Sequence, residues 1–311
     1  MELKEFVLEI AKGVEARLEG VRAIPTESMK NNGIIQSGLT LRMKDESVSP
    51  ILYMNYWYDR FKRGELTMSE VVEKIITEYE ELPEPDIPDF NEWISGVELL
   101  DRIKIRLVNR KRNEGMIAAR RLVSYELEST DLVALFYLNV MSNKESVGEI
   151  AINEEILEKF LPSITSEKEL YYEVLKRVKK EDVNLKSMRS MIKGLLKDSE
   201  DVPEISMDDT SMFVLTNKNM LYGVSMILTE AVRQMILEKI PDGRVTVLPS
   251  SIHECILIPT SADEDVKELE KMVRQINATE ISREEFLSDN IYHYDANISK
   301  FEMVSSDAGE E

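Results

Sequence analysis

Residues 21–43 read Val21-Arg22-Ala23-Ile24-Pro25-Thr26-Glu27-Ser28-Met29-Lys30-Asn31-Asn32-Gly33-Ile34-Ile35-Gln36-Ser37-Gly38-Leu39-Thr40-Leu41-Arg42-Met43. Two extendable arms flank Asn31-Asn32-Gly33, and Asn-Gly adopts the positive φ values that a tight chain reversal requires. In the second arm Leu39, Leu41 and Met43 alternate with Thr40, Arg42 and Lys44, which turns one face inward and makes a half-buried strand. A hairpin with one solvated face must cover its other face, and the flanking sequence supplies the cover. Before it, Leu3, Phe6, Val7, Ile10, Val14 and Leu18 recur at helical spacing up to Gly20. After it, 51–54 reads as a third strand, Tyr56, Trp57, Tyr58 and Phe61 form an aromatic segment, and Thr67 with Glu70 makes a capping box. The helix so opened buries Val71, Val72, Ile75, Ile76 and Tyr79. The expected fold is therefore α+β: two lobes, each a mainly antiparallel or mixed sheet packed on amphipathic helices.

Pro83, Pro85 and Pro88 interrupt an acidic stretch that can neither extend a helix nor join a central strand. The expected organisation is an N-terminal lobe over 1–82, a linker over 83–90, a C-terminal lobe over 91–300 and an acidic tail over 301–311, disordered from Ser305. In the second lobe Ile103, Ile105 and Leu107 alternate with Arg102, Lys104 and Arg106, a period of two that predicts a strand. Residues 131–141 predict a central strand with 147–152 beside it. Ser166 with Glu169 caps a helix carrying Leu170, Val174 and Val178. A polar connection over 197–209 precedes a short strand at 212–215. Residues 222–240 predict one helix, stopped by Pro241-Asp242-Gly243. Strands are expected at 245–248 and 252–258, then a helix burying Val266, Leu269, Met272, Val273 and Ile276. Ser282 with Glu285 caps a further turn, and 291–294 predicts a closing strand.

The 311 residues exceed what one core usually holds, and a hydrophobic fraction of 43% excludes wholesale disorder. Cys255 is the single cysteine, so no internal disulfide or thiolate zinc site exists, and a reducing compartment is expected. The N-terminal segment carries Glu2, Lys4, Glu5, Glu9, Lys12 and Glu15 among its apolar residues, unlike a signal or transit peptide. No stretch is apolar for long enough to span a bilayer, and a cytoplasmic location is expected. With 39 Lys and Arg against 59 Asp and Glu, the net charge of -20 repels phosphate backbones and anionic membranes. Nucleic acid is disfavoured as a partner. Such a surface either keeps the chain soluble or occupies a basic protein partner.

The segments Asn31-Asn32-Gly33, Gly38-Leu39-Thr40, Ser49-Pro50-Ile51-Leu52-Tyr53, Val214-Leu215-Thr216-Asn217-Lys218, Tyr222-Gly223, Leu248-Pro249-Ser250-Ser251-Ile252-His253-Glu254, Asn277-Ala278-Thr279 and Leu287-Ser288-Asp289-Asn290 span nearly the whole chain in order. Together they resemble a bacterial family catalogued as domain of unknown function 5688. The resemblance implies no activity, ligand or catalytic residue.

The residues themselves offer several places for chemistry. If 252–258 is extended, Ser251, His253 and Cys255 share one face, while Glu254 sits with Ile252, Ile256 and Ile258 on an apolar one. A carboxylate there needs a cation, hydrogen bonds or a proton. Read chemically, Ser251, His253 and Glu254, with His293 or Asp289, make a hydrolase set. Read structurally, Glu254 locks a core strand, and adjacent strand residues cannot orient one another as a triad requires. A metal site would need His253 and His293 to converge on Asp289 or Asp295, without any short metal-ligand spacing, so no metal or cofactor is expected. Cys255 among Ile256, Leu257 and Ile258 reads as an inert core thiol. Asn217, Lys218 and Asn219 before Tyr222-Gly223 offer an anion site at a helix start, or simply a helix cap. Arg102, Lys104, Arg106, Arg110, Lys111, Arg112, Arg120 and Arg121 form the one basic region, fit either for an acidic or phosphate partner or for the chain's own carboxylates. No nucleophile, base and orienter stand out as a set. The leading expectation is a non-enzymatic interaction or regulatory protein, with the hydrolase as alternative.

Overall fold

A computed structural model describes residues 1–43, 49, 51–82, 96–142, 147–195, 212–261 and 265–304. The expected linker at 83–90, the connection at 197–209 and the tail from Ser305 lie outside these described residues. The chain forms two compact units, Met1–Asp86 and Ile87–Glu311.

In the first unit α1 (Leu3–Glu15), α2 (Asn55–Lys62) and α3 (Met68–Glu80) accompany β1 (Val21–Met29), β2 (Ile35–Met43) and β3 (Ile51–Tyr53), which form an antiparallel sheet in the order β1-β2-β3. Its reversal uses Asn32 at φ 59° and Gly33 at φ 70°, the left-handed values that Asn and Gly tolerate best. Leu39 and Leu41 point into a core with Phe6, Ile10, Val14, Val71 and Ile75. Met43, expected beside them, is exposed at the last position of its strand. Trp57, Tyr58 and Phe61 pack on this core, whereas Tyr56 is exposed. The Thr67–Glu70 capping box forms in both directions, the Thr67 hydroxyl accepting from the Glu70 N–H.

The second unit carries two sheets. The first is built by β4 (Ile103–Asn109), β5 (Ser124–Glu126), β6 (Leu132–Ser142) and β7 (Val147–Ala151). Here β6 is central: β4 pairs along one side, while β5 and β7 share the other. Helix α4 (Gly96–Arg102) precedes these strands, α5 (Arg110–Arg120) lies between β4 and β5, and α6 (Glu154–Phe160) and α7 (Glu167–Leu175) follow β7. The second sheet takes β8 (Val183–Ser187), β9 (Phe213–Asn217), β10 (Arg244–Pro249), β11 (Cys255–Pro259), β12 (Tyr292–Asp295) and β13 (Lys300–Met303) in the order β13-β12-β10-β11-β9-β8, every pair antiparallel. Its helices are α8 (Met188–Leu195), α9 (Glu230–Lys239) and α10 (Val266–Thr279). One face of this sheet, with Val245, Val247, Cys255 and Leu257, joins the larger core; the other, with Leu248, Ile256 and Ile258, packs under α10 through Val266, Leu269 and Val273.

Four further readings change. Residues 222–240 are not one helix: a 3-10 segment, Gly223–Leu228, gives way at Thr229, whose backbone is extended and whose hydroxyl accepts from the Val232 N–H to start α9. The strand expected from 252 begins at Cys255 instead, because Ser250 and Ser251 N–H groups both bond the Glu254 carbonyl and close a loop. Met272 and Ile276 face outward, leaving Val273 as the buried residue of α10. Residues 301–303, read as the start of the tail, belong to the edge strand β13.

Asp131 ties the second unit's two sheets together. One carboxylate oxygen accepts from Asn109 Nδ2 (2.9 Å), Ser288 Oγ (2.9 Å) and Asn290 Nδ2 (3.1 Å), and the other from the Tyr292 hydroxyl (2.5 Å). Four donors satisfy a carboxylate's acceptor capacity, so the group is held without a cation.

Candidate functional site

The loop after β10 determines what the predicted residues can do. His253 Nδ1 accepts from the Tyr222 N–H at 3.0 Å, and its carbonyl accepts from Thr216 Oγ1 and the Gly223 N–H. Ser251 is buried, its hydroxyl accepting from the His253 N–H (3.0 Å), so it caps the loop and does not address the imidazole. Glu254 is half-buried and makes no ion pair among the described residues; the expected lock on a core strand is absent because Glu254 lies in the loop. The carboxylate nearest the His253 ring belongs to Glu285, 3.7 Å from Nε2. Burial pushes the His253 pKa down, opposed by Glu285 and helped by Arg106. His293 stands elsewhere, on β12 opposite Thr246, in a shallow depression with Arg244, Thr260 and Lys300. Asp289 is engaged by Asn277 Nδ2 at 2.9 Å. The hydrolase set is thus distributed over separate surroundings, and among the described residues no group of three His, Cys, Asp or Glu side chains converges as a metal site would require. Cys255 is fully buried and its thiol pKa is pushed up by that burial, as an inert core thiol demands.

Asn217 is a loop organiser and not a helix cap. Its Oδ1 accepts from the Asn219 and Leu221 N–H groups at 3.1 Å, and its Nδ2 donates to the Leu221 carbonyl at 2.6 Å. The loop needs this support, since Met220 and Tyr222 are held at φ 54° and 56°. It also needs Gly223: a Cβ there would lie 2.2 Å from the Asn217 nitrogen and 2.4 Å from Thr216 Oγ1. Lys218 is exposed. In the basic region Arg110 bonds Glu126 (2.7 Å), the Arg112 guanidinium lies 3.7 Å from the Phe286 ring centre, and Lys111 is exposed on α5. Arg121 pairs with Glu154 and Arg106 with Glu149. The chain's own carboxylates therefore take up much of this charge.

Sequence reasoning missed the two concavities that matter. The first is a cavity of about 90 Å³ bounded by β4, the end of α7 and the 217–226 loop. Arg106 is its central cation, clamped between the rings of Tyr137 (3.9 Å) and Tyr222 (3.3 Å) and paired with Glu149. Burial pushes the Glu149 pKa up against the pull of Arg106, and burial likewise raises that of Tyr222. His253 packs on Tyr222 with ring centres 5.0 Å apart. The alternation Lys104, Arg106 was legible in the sequence; the aromatic clamp closes only through residues 31 and 116 positions further on.

The second concavity is a groove of about 410 Å³ lined by Tyr125, Tyr171, Tyr172, Tyr294 and Phe301, with Glu128, Lys168, Glu230 and Arg233 among its polar residues. Tyr125 and Tyr171 stack at 4.3 Å, Tyr172 meets Tyr171 edge-on at 5.2 Å, and Tyr294 meets Phe301 at 6.4 Å. Burial pushes the Tyr294 pKa up to about 12 and raises those of Tyr125 and Tyr171, so these hydroxyls remain protonated. Arg233 is paired with Glu230 at 2.7 Å.

Fold and concavities define the chain as an α+β protein of antiparallel sheets with an arginine-centred cavity and a tyrosine-lined groove. A family model described as "Family of unknown function (DUF5688)" matches residues 3–296, and the chain belongs to that family. Comparison with curated proteins and with solved structures found no match. Among the described residues no helix is long and apolar enough to cross a membrane.

Proposed function

We propose that the chain is a non-enzymatic interaction protein that holds a basic segment of a partner protein along the tyrosine groove. The observation that carries this reading is the groove's lining of four tyrosines and Phe301, in a volume of about 410 Å³. Pockets that bury a ligand commonly measure roughly 300–1,000 Å³. Tyrosine gives a large contact area at low conformational cost, and its ring face attracts lysine and arginine side chains. Tyr172 and Tyr125 retain exposure at the rim, whereas Tyr171 and Tyr294 are buried as floor. The net charge of -20 draws a basic partner from a distance, and the groove, whose Glu128, Lys168, Glu230 and Arg233 balance in charge, receives it chiefly through its rings.

The test is a titration of the full chain with a labelled Lys/Arg-rich peptide and an acidic peptide of equal length, followed by fluorescence anisotropy. The basic peptide binds, more weakly at high salt, and combining Tyr125→Ala with Tyr172→Ala weakens it by about tenfold or more, as for loss of two interface aromatics. Equal binding of the two peptides, or an undisturbed affinity in the double variant, refutes the reading.

A further inference from the structure

The arginine-centred cavity differs from the groove in size, lining and charge, and it supports an inference of its own. Its walls are largely apolar, with Ile105, Val174, Val178, Leu221 and Met226 among them, and its polar groups gather around Arg106: Lys104, Tyr137, Asn139, Glu149 and Asn219. Sites for small molecules combine an apolar body with a few convergent polar groups in this way. The local charge runs against the molecule's: Lys104 and Arg106 face Glu149 alone within the lining, while the chain as a whole carries -20.

We propose that this cavity binds a short aliphatic carboxylate, its headgroup on the edge of the Arg106 guanidinium and its tail against Val174, Val178 and Leu221. Arg106 is oriented before any ligand arrives, because Tyr137 and Tyr222 cover both its faces and leave its in-plane N–H groups to define the direction of approach. Planar, two-pronged recognition of a carboxylate is what such a guanidinium does best. Glu149 already occupies part of that edge, with both side chains about 15% exposed (14% and 16%). It is an internal stand-in for the ligand, and a poorly solvated one, since burial disfavours its charged form. Lys104 is exposed and makes no ion pair among the described residues, and Asn139 is half-buried in the same lining, so these two side chains are placed to take the second oxygen. The volume favours a short acid: an apolar cavity of about 150 Å³ admits benzene, and this one measures about 90 Å³. The strained loop at Met220 and Tyr222, secured by Asn217 and Gly223, is what holds the second aromatic face in place.

The experiment is an NMR titration of the full chain with propionate, with 1-propanol as the tail-only probe and inorganic phosphate as the headgroup-only probe. Propionate shifts the resonances of Leu221, Tyr222 and Val174 saturably, and both control probes act more weakly. Glu149→Gln frees the guanidinium and tightens propionate binding by about tenfold, the scale of one charge-assisted contact. Lys104→Ala, a change at an exposed residue that leaves the fold intact, weakens it. No saturable shift, propanol matching propionate, phosphate outcompeting it, or unchanged affinity in Glu149→Gln would each overturn the proposal. Because the groove and its peptide are not involved, these outcomes are independent of the partner reading.

Discussion

His253 shows how one half-buried residue can hold a structural role while its titration still bears on stability. Its Nδ1 accepts a hydrogen bond from the Tyr222 N–H, which only a neutral imidazole can do. Burial depresses its pKa below the ordinary value near 6.5, Glu285 opposing and Arg106 assisting. The sign follows by linkage: between about pH 6.5 and the lower folded value, the unfolded chain binds a proton that the folded chain does not. The contribution is therefore complete above about pH 6.5 and is lost as the pH falls through that window. Replacing His253 with Asn removes the titration, so the variant's thermal midpoint falls less between pH 7.5 and 5.5 than the parent's. A steeper fall in the variant would contradict this account. The adjacent Gly223 answers to sterics instead, having no room for a methyl group against Asn217.

Elements show where local rules suffice and where tertiary structure overrides them. Thr229 ends the 3-10 segment and starts α9: its hydroxyl donates to the Met226 carbonyl at 2.7 Å and accepts from the Val232 N–H at 3.3 Å. Thr229→Ala loses both, and a urea midpoint shift equivalent to about 1–2 kcal/mol is expected, the usual cost of a buried N-cap. That break was not read from the sequence because apolar residues continue at helical spacing across it, and a threonine cap inside a periodic run looks like any other polar position. The Thr67–Glu70 box was legible, being complete within four residues. So was the hairpin around Asn32 and Gly33, and so was the alternation that makes β4. The strand expected from 252 failed for a related reason to Thr229: apolar content at Ile252 promised extension, while the backbone of 250–254 had its hydrogen bonds satisfied inside a loop. Of the candidate site, His253 and Asn217 were found but given the wrong partners, since Tyr222 meets His253 only through a contact 31 residues apart. The tyrosine groove was invisible, as Tyr125, Tyr171, Tyr172 and Tyr294 form no local pattern.

At the scale of the molecule, the chain behaves as two cores. The cluster of Phe6, Ile10, Leu39, Leu41, Met54, Val71 and Ile75 consists wholly of residues before 87, and the larger cluster starts at Leu99. Each unit therefore buries its own apolar surface, and unfolding need not be a single transition. Leu41 is fully buried, so Leu41→Ala is expected to cost the first unit about 2–5 kcal/mol through transfer and cavity terms. In calorimetry the component belonging to that unit moves to lower temperature while the other stays. Movement of both by the same amount would show the units to be energetically one.

The Asp131 junction has a consequence for synthesis. Its donors Ser288, Asn290 and Tyr292 follow it by 157 to 161 residues, and ribosomes add roughly 5–20 residues per second. Asp131 thus emerges roughly 10–30 s before the hydroxyls and amide that will surround it. During that interval the nascent β6 region has its charge in water and its sheet-to-sheet seam open. Until Tyr292 arrives, Asp131 lacks three of its four eventual donors, and water must serve in their place.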